Sequence, residues 1–255
     1  MMTIHYIMMS SSYVDGTRIA LDFTGSQQLN SERIIAALQT IQQRCGKDVP
    51  LSTHCVQTDS DTWESVIAYD SFFDGVQLIK TVEEFAAKIE KSRILSGVDV
   101  AHYILSQVCC THLGLEKLVY LAYADYLCDH GERLFRDNIY AFRYGPVVES
   151  VYEAYKQYGA QDLARHGGSA HTESIAMAMR SRILFAKRGI AKLHAIDQTI
   201  RAYGKLSVNE LVTLTHQPGA PWSHVDSTIA YQIIPDELIA RYHAIERKAP
   251  VTHDE

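Results

Sequence analysis

Residues 139–158 read Ile-Tyr-Ala-Phe-Arg-Tyr-Gly-Pro-Val-Val-Glu-Ser-Val-Tyr-Glu-Ala-Tyr-Lys-Gln-Tyr, with Gly145-Pro146 as the punctuation in the middle. Proline fixes φ at about −65° and has no N–H to donate, which suits the first position of a helix, and glycine supplies backbone freedom just before it. The spacing predicts a helix from Pro146. Val147, Val148, Val151, Tyr152 and Tyr155 make its apolar stripe, and Glu149, Glu153, Lys156 and Gln157 face solvent.

Other helical stripes surround this one. Ala101, Ile104, Leu105 and Val108 form the first; Leu115, Leu118, Val119, Ala122 and Tyr126 form the second, with Thr111 placed to cap it and Gly131 just past its end. Ile190, Leu193, Ile196, Ile200 and Tyr203 make another, closed by Gly204. Ser207 and Glu210 have capping-box spacing ahead of Leu211 and Leu214, and a last helix opens at Pro235 with Leu238, Tyr242 and Ile245. Residues 96–255 thus predict a mainly α-helical domain of six helices.

Before residue 95 the period changes. His5–Met9 and Thr17–Phe23, separated by Asp15-Gly16, predict a hairpin. Ser31 is placed to cap a helix carrying Ile34, Ile35, Leu38 and Ile41 and ending near Gly46. Leu51–Gln57 and Phe72–Ile79 predict strands, and Val82–Lys91 a helix with Phe85 and Ile89 inward. The expected fold is α+β overall: a small α+β extension over 1–95, a junction in 92–97, and the helical domain beyond.

Three blocks in the second part form a shared order: Lys117, Leu118 and Tyr120, followed by Leu134 and Phe135; Gly145 and Pro146; then Thr215, His216, Pro221 and Trp222. In that order, over about residues 97–245, they resemble the Panacea family, the SocA-like antitoxin domain of bacterial and phage toxin-antitoxin systems. The resemblance implies a non-enzymatic protein whose partner is a cognate toxin encoded by an adjacent gene.

Composition agrees with that class and excludes others. The chain has 255 residues, 47% apolar, enough for a substantial core. Its net charge is −6, with 8 basic against 12 acidic residues in 1–95 and 16 against 18 in 96–255, which argues against a general nucleic-acid binder. Cys45, Cys55, Cys109, Cys110 and Cys128 are odd in number and lack Cys-x-x-Cys spacing, as expected of a reduced cytoplasmic chain. The start at Met1 lacks a basic end followed by a sustained apolar run, so no leader is expected, and no apolar run reaches membrane length.

Catalytic patterns are missing from the sequence. There is no Gly-x-x-x-x-Gly-Lys-Ser/Thr or Gly-x-Gly-x-x-Gly cradle and no His-Glu-x-x-His pattern, so no catalytic residue and no cofactor are expected. Cys109-Cys110-Thr111-His112, with His102 nearby, is the best metal-like group, but adjacent cysteines diverge on a regular helix and no second pair completes a set. Arg180, Arg182, Lys187, Arg188 and Lys192 lie in a stretch free of Asp and Glu, which fits either a solvated face or an acidic partner.

The residues singled out for partner binding are Tyr120, Tyr144, Tyr152, Tyr155, Arg182, Arg188, His216 and Trp222. For His216 and Trp222 the competing expectation is structural, a ring fastening its loop and a core plug. Tyr120 and the other tyrosines fit a binding surface and a tyrosine-rich core equally well. Lys117, Leu118, Gly145, Pro146, Thr215 and Pro221 are expected to be framework. The expected function is neutralisation of a toxin by occlusion across an interface of about 1,600 Å². The alternatives are a proteolytic adaptor that delivers the toxin to a protease and a DNA-binding autoregulator. A homo-oligomer stays open.

Overall fold

The computed structural model describes residues 2–26, 28–163, 169–226, 229 and 231–247. Met1, where a leader would begin, and the end of the 96–255 domain beyond residue 247 lie outside the described residues. The chain divides into two compact units, Met1–Ile94 with Phe185–Lys187, and Leu95–Leu184 with Arg188–Glu255.

The first unit is built on the expected hairpin, β1 (Thr3–Ser12) and β2 (Thr17–Gly25), paired from Ile4↔Gly25 to Ser12↔Thr17. After α1 (Ser31–Cys45), strand β3 (Ser52–Thr58) adds antiparallel to the other side of β1; α2 (Trp63–Tyr69), β4 (Gln77–Leu78) and α3 (Val82–Ser92) follow. The sheet order is β3-β1-β2-β4. Both faces are covered, which explains why Ile7, Met8 and Met9 are all apolar. Met8, Ile19, Leu21 and Phe23 pack against Ala37 and Ile41 of α1 and Phe85, Ala86 and Ile89 of α3. Ile7, Met9 and Ala20 pack against Val66 of α2 and against Phe73 and Val76.

Several details of this unit differ from expectation. The cap of α1 is Asn30, whose Oδ1 accepts from Arg33 N at 3.0 Å, and Ser31 is already helical. Ile35 is exposed while Ala37 and Cys45 go inward. The strand expected over 72–79 shrinks to two residues after a 3-10 turn at Ser71–Phe73, and α2 was not foreseen.

A long-range return completes the unit. Phe185, at the end of α7 (Ser169–Phe185), joins the cluster of Met8 and Ile41 and sits 5.0 Å from the Tyr13 ring. Arg93, only 3% exposed, donates to Cys45 O at 2.6 Å, to Asp48 Oδ2 at 2.8 Å and to Ala186 O at 3.4 Å, and its own carbonyl accepts from Lys187 N. Phe185→Ala is expected to destabilise this unit by about 3 kcal/mol. Urea unfolding followed by the fluorescence of Trp63 checks it; an unchanged midpoint would show that the return carries no load.

The second unit contains α4 (Gly97–Gln107), β5 (Cys110–Thr111), α5 (His112–His130), β6 (Ile139–Phe142), β7 (Gly145–Val148), α6 (Glu149–Tyr155), β8 (Asp162–Leu163), most of α7, α8 (Gly189–Tyr203), α9 (Val208–Thr215), β9 (Gln232–Ile233) and α10 (Asp236–Tyr242). Thr111 and Gly131 bound α5 as expected, and the Ser207–Glu210 capping box is formed. Ile190 and Ile245, expected inside, are exposed.

The main correction is at Pro146. No helix starts there; Gly145–Val148 is a strand, paired with β6 from Ile139↔Val148 to Phe142↔Gly145, and the helix begins at Glu149. With β9 this makes a three-stranded sheet, β7-β6-β9. Pro146 is tolerated because β7 is an edge, where a missing N–H costs no ladder bond, and the β-branched Val147-Val148 pair favours extended backbone. The unit is therefore less purely helical than expected. Among the described residues no helix is long and apolar enough to cross a membrane.

Candidate partner-binding surface

The surface rests on α5, whose side chains are buried almost all round, including the charged Glu116 and Lys117. A helix that is buried on every side shows no single stripe, and its polar members need partners. Glu116 Oε2 accepts from Val148 N at 2.9 Å, and Lys117 Nζ donates to Pro146 O at 2.8 Å. Together they clamp β7 to α5. Burial pushes Glu116 above and Lys117 below their ordinary ranges, each partly opposed by the other's charge.

The turn Arg143-Tyr144 joins β6 to β7, and Gly145 after it has φ +100. A Cβ there would lie 2.9 Å from both His216 Cε1 and Lys117 Nζ. His216 Nδ1 lies 2.7 Å from Val212 O, its ring is 4.1 Å from that of Trp222, and Trp222 Nε1 donates to Phe142 O at 2.9 Å. The hairpin is thus held from one side by Lys117 and Glu116 and from the other by His216 and Trp222. Thr215, fully buried, bonds back to Leu211 O, and Pro221 is buried at the start of a 3-10 turn.

Above this clamp runs a string of rings with centroids about 6 Å apart or less: His112–Tyr152 at 6.0 Å, Tyr152–Phe142 at 5.5 Å, Phe142–Tyr231 at 5.6 Å and Tyr231–Tyr140 at 6.0 Å. Tyr144 at the hairpin tip is 58% exposed and Tyr231 is 56% exposed. Tyr231 adopts φ +58, a left-handed conformation unusual for a tyrosine. Lys156 Nζ sits 5.7 Å over the Tyr152 ring and Arg143 lies 5.6 Å over Tyr144. Rings with an apolar body and a wet phenol suit a protein interface.

Of the remaining residues singled out in the sequence, Tyr120 is wholly internal and donates to Glu246 Oε2 at 2.8 Å. Leu118 is core. Tyr155 is half-buried, 6.3 Å from the Tyr158 ring. Arg182 is 11% exposed and grips Asp99 through Nε at 3.0 Å and Nη2 at 3.1 Å; Arg188 pairs with Glu132 at 3.1 Å. Lys192 is buried with Nζ on Leu134 O. The basic run is consequently not one solvated face, and reversing Arg182 would strike the fold. Cys109 is exposed, while burial raises the Cys110 thiol to about 12. Among the described residues no group of three or more His, Cys, Asp or Glu side chains is placed to hold a metal ion.

Sequence reasoning passed over a second cluster, which meets α5 at Asp125. His243 is fully buried with Nδ1 2.9 Å from Glu246 Oε2 and Nε2 2.9 Å from Asp125 Oδ1. Both ring nitrogens face carboxylates, an arrangement that favours the protonated ring, in which both nitrogens donate. Arg247 Nε lies 3.2 Å from Asp125 Oδ1 and Thr199 donates to Asp125 Oδ2. Burial works against the charge, but the bonds and charges of Asp125 and Glu246 outweigh it and raise His243 above its ordinary value. A raised histidine contributes stability that is fully present below its unfolded pKa of about 6.5 and lost as pH rises through the folded one. The stability difference between wild type and His243→Gln is therefore expected to shrink as pH rises from about 6 to 9. Urea midpoints across that range check it; a difference that grows with pH would contradict the imidazolium.

Residues 115–223 match the family described as "Antitoxin SocA-like, Panacea domain". The chain is also 26% identical over 113 residues to Antitoxin SocA of Caulobacter vibrioides, covering 44% of this chain and 57% of that protein. The chain thus spans little more than half the length of that relative. No solved structure matches. From Leu115 in α5 to Ser223 beside the Trp222 clamp, the chain is similar to the SocA-like antitoxin family.

Proposed function

We propose that this protein is a non-enzymatic antitoxin that acts in the cytoplasm, binding a cognate toxin encoded by an adjacent gene and occluding its active surface. The observation that carries the proposal is the placement of the family-like motif. Lys117, Gly145, Pro146, His216 and Trp222 meet beneath one hairpin, whose outer side presents Tyr144 with Phe142, Tyr152 and Tyr231 nearby. A rigid support with exposed rings limits the entropy lost on binding, and a few such rings supply most of the energy of a typical interface.

Co-expression with the neighbouring gene product tests the proposal. Wild type is expected to rescue growth and to co-elute with the toxin. Tyr144→Ala with Tyr231→Ala is expected to weaken binding by about thirtyfold, equivalent to about 2 kcal/mol, and to abolish rescue with melting unchanged. Full rescue by the double variant would place the interface elsewhere. Rescue that vanishes only in a host lacking a protease would identify a proteolytic adaptor. A steeply salt-dependent shift of promoter DNA, with no toxic neighbour, would identify a regulator.

A further inference from the structure

Strand β3 ends the first sheet, and nothing within the described residues pairs with its outer side. Its register on β1 is unbroken from Thr3↔Thr58 to Met9↔Ser52, so no bulge twists it away. The strand, Ser-Thr-His-Cys-Val-Gln-Thr, contains no Lys, no Pro and no formal charge, the usual devices that blunt an edge. Ser52, Thr53, Cys55 and Gln57 are exposed.

The flanks of β3 are of opposite sign. On the N-terminal side Lys47 is exposed, and the neighbouring Asp48 is neutralised by Arg93 at 2.8 Å. On the C-terminal side Asp59, Asp61 and Glu64 are all exposed. Two copies laid antiparallel about a two-fold axis would bring each Lys47 flank to the other's acidic flank, twice over. The uncharged middle adds no repulsion, although the chain as a whole carries −6. A parallel arrangement would instead set like charges together.

We propose that β3 is a self-association edge, where a second copy of this chain adds antiparallel and joins the two four-stranded sheets into one of eight strands. Centred on Cys55, the pairing matches all seven residues: Ser52 with Thr58, Thr53 with Gln57, His54 with Val56, and Cys55 with its own copy. The contact is isologous, so it closes as a dimer and does not propagate. It supplies backbone hydrogen bonds for the affinity and the flanking charges for direction and register. This edge lies outside residues 115–223, the stretch that matches the family.

The full chain alone, with no toxin present, tests this. Light scattering should give a dimer that dissociates on dilution. Lys47→Glu should weaken it about fivefold or more, and adding Asp59→Lys with Asp61→Lys should restore it, because the swapped flanks again attract. These side chains are exposed, so the fold is spared. Directly opposed side chains lie about 5 Å apart across an antiparallel pair, so copper-phenanthroline oxidation should cross-link Cys55 to Cys55, and Cys55→Ser should abolish that product. A monomer up to the solubility limit overturns the proposal. So does a dimer indifferent to Lys47→Glu, or one whose cross-link maps to the exposed Cys109.

Discussion

Gly145→Val is expected to cost about 4 kcal/mol and to lower the melting temperature by roughly 10 °C. Two costs add. A β-branched residue is strained at φ +100, and its Cβ would enter the space already bounded by His216 Cε1 and Lys117 Nζ, both at 2.9 Å, and Lys117 Cε at 3.1 Å. Neither neighbour can simply withdraw. Lys117 is tied to Pro146 O, and His216 lies between Val212 O and the Trp222 ring. Gly145→Ala should follow in the same direction with a smaller loss, since any Cβ meets the same atoms. Thermal denaturation of both variants checks the ordering; a Gly145→Val protein melting within a couple of degrees of wild type would rule out this hairpin conformation.

Lys117→Ala is expected to cost about 4 kcal/mol at neutral pH. Its ammonium stands beside the buried carboxylates of Glu116 and Glu246, and the Glu116 Oε1 and Glu246 Oε1 atoms have no hydrogen-bond partner among the described residues. Removing the side chain takes away the positive charge that favours ionised Glu116 and also creates a cavity. Lys117→Met fills most of the volume, so the difference between the two variants isolates the cavity, and what remains in Lys117→Met is electrostatic. Loss of the cation removes the charge that opposes burial at Glu116 and raises its folded pKa further. A raised acid favours folding at low pH and loses that contribution as pH rises, so the deficit of Lys117→Met should widen with increasing pH. Adding Glu116→Gln should recover part of it. A deficit independent of pH, and unmoved by Glu116→Gln, would show that Lys117 acts only through packing.

Local rules carried the elements whose signals are local. The Asp15-Gly16 hairpin, the Thr111 cap and the Ser207–Glu210 box depend on residues only a few positions apart, and all three appear. Pro146 misled because a proline after a glycine satisfies two environments, a helix start and an edge strand, and pairing with Ile139–Phe142 decided between them. The alternation of Tyr140 and Phe142 with buried Ile139 and Ala141 was the overlooked signal of a strand. The motif behind the resemblance was legible as a series, but not as a place. Lys117, Gly145 and His216 are far apart in the chain, and only the fold brings Lys117 and His216 to the same glycine. The Glu246–His243 spacing fits one helical turn, yet nothing in it announces Asp125 as the third member. The tyrosines divided on the same ground: Tyr120 went inside because Glu246 satisfies its hydroxyl, while Tyr144 stayed out because it forms the hairpin turn.

The return of Phe185–Lys187 to the first unit also sets a timetable for synthesis. A ribosome has made all of the sheet and α3 by Ile94, but the residues that close Arg93 and complete the cluster of Met8 and Ile41 emerge about ninety positions later. At about 5–20 residues per second, the nascent sheet waits roughly 5–20 s with part of its core open. During that interval its apolar surface and bare β3 edge are exposed to neighbouring nascent chains, and a chaperone that covers them would have the most to protect before residue 187 is made.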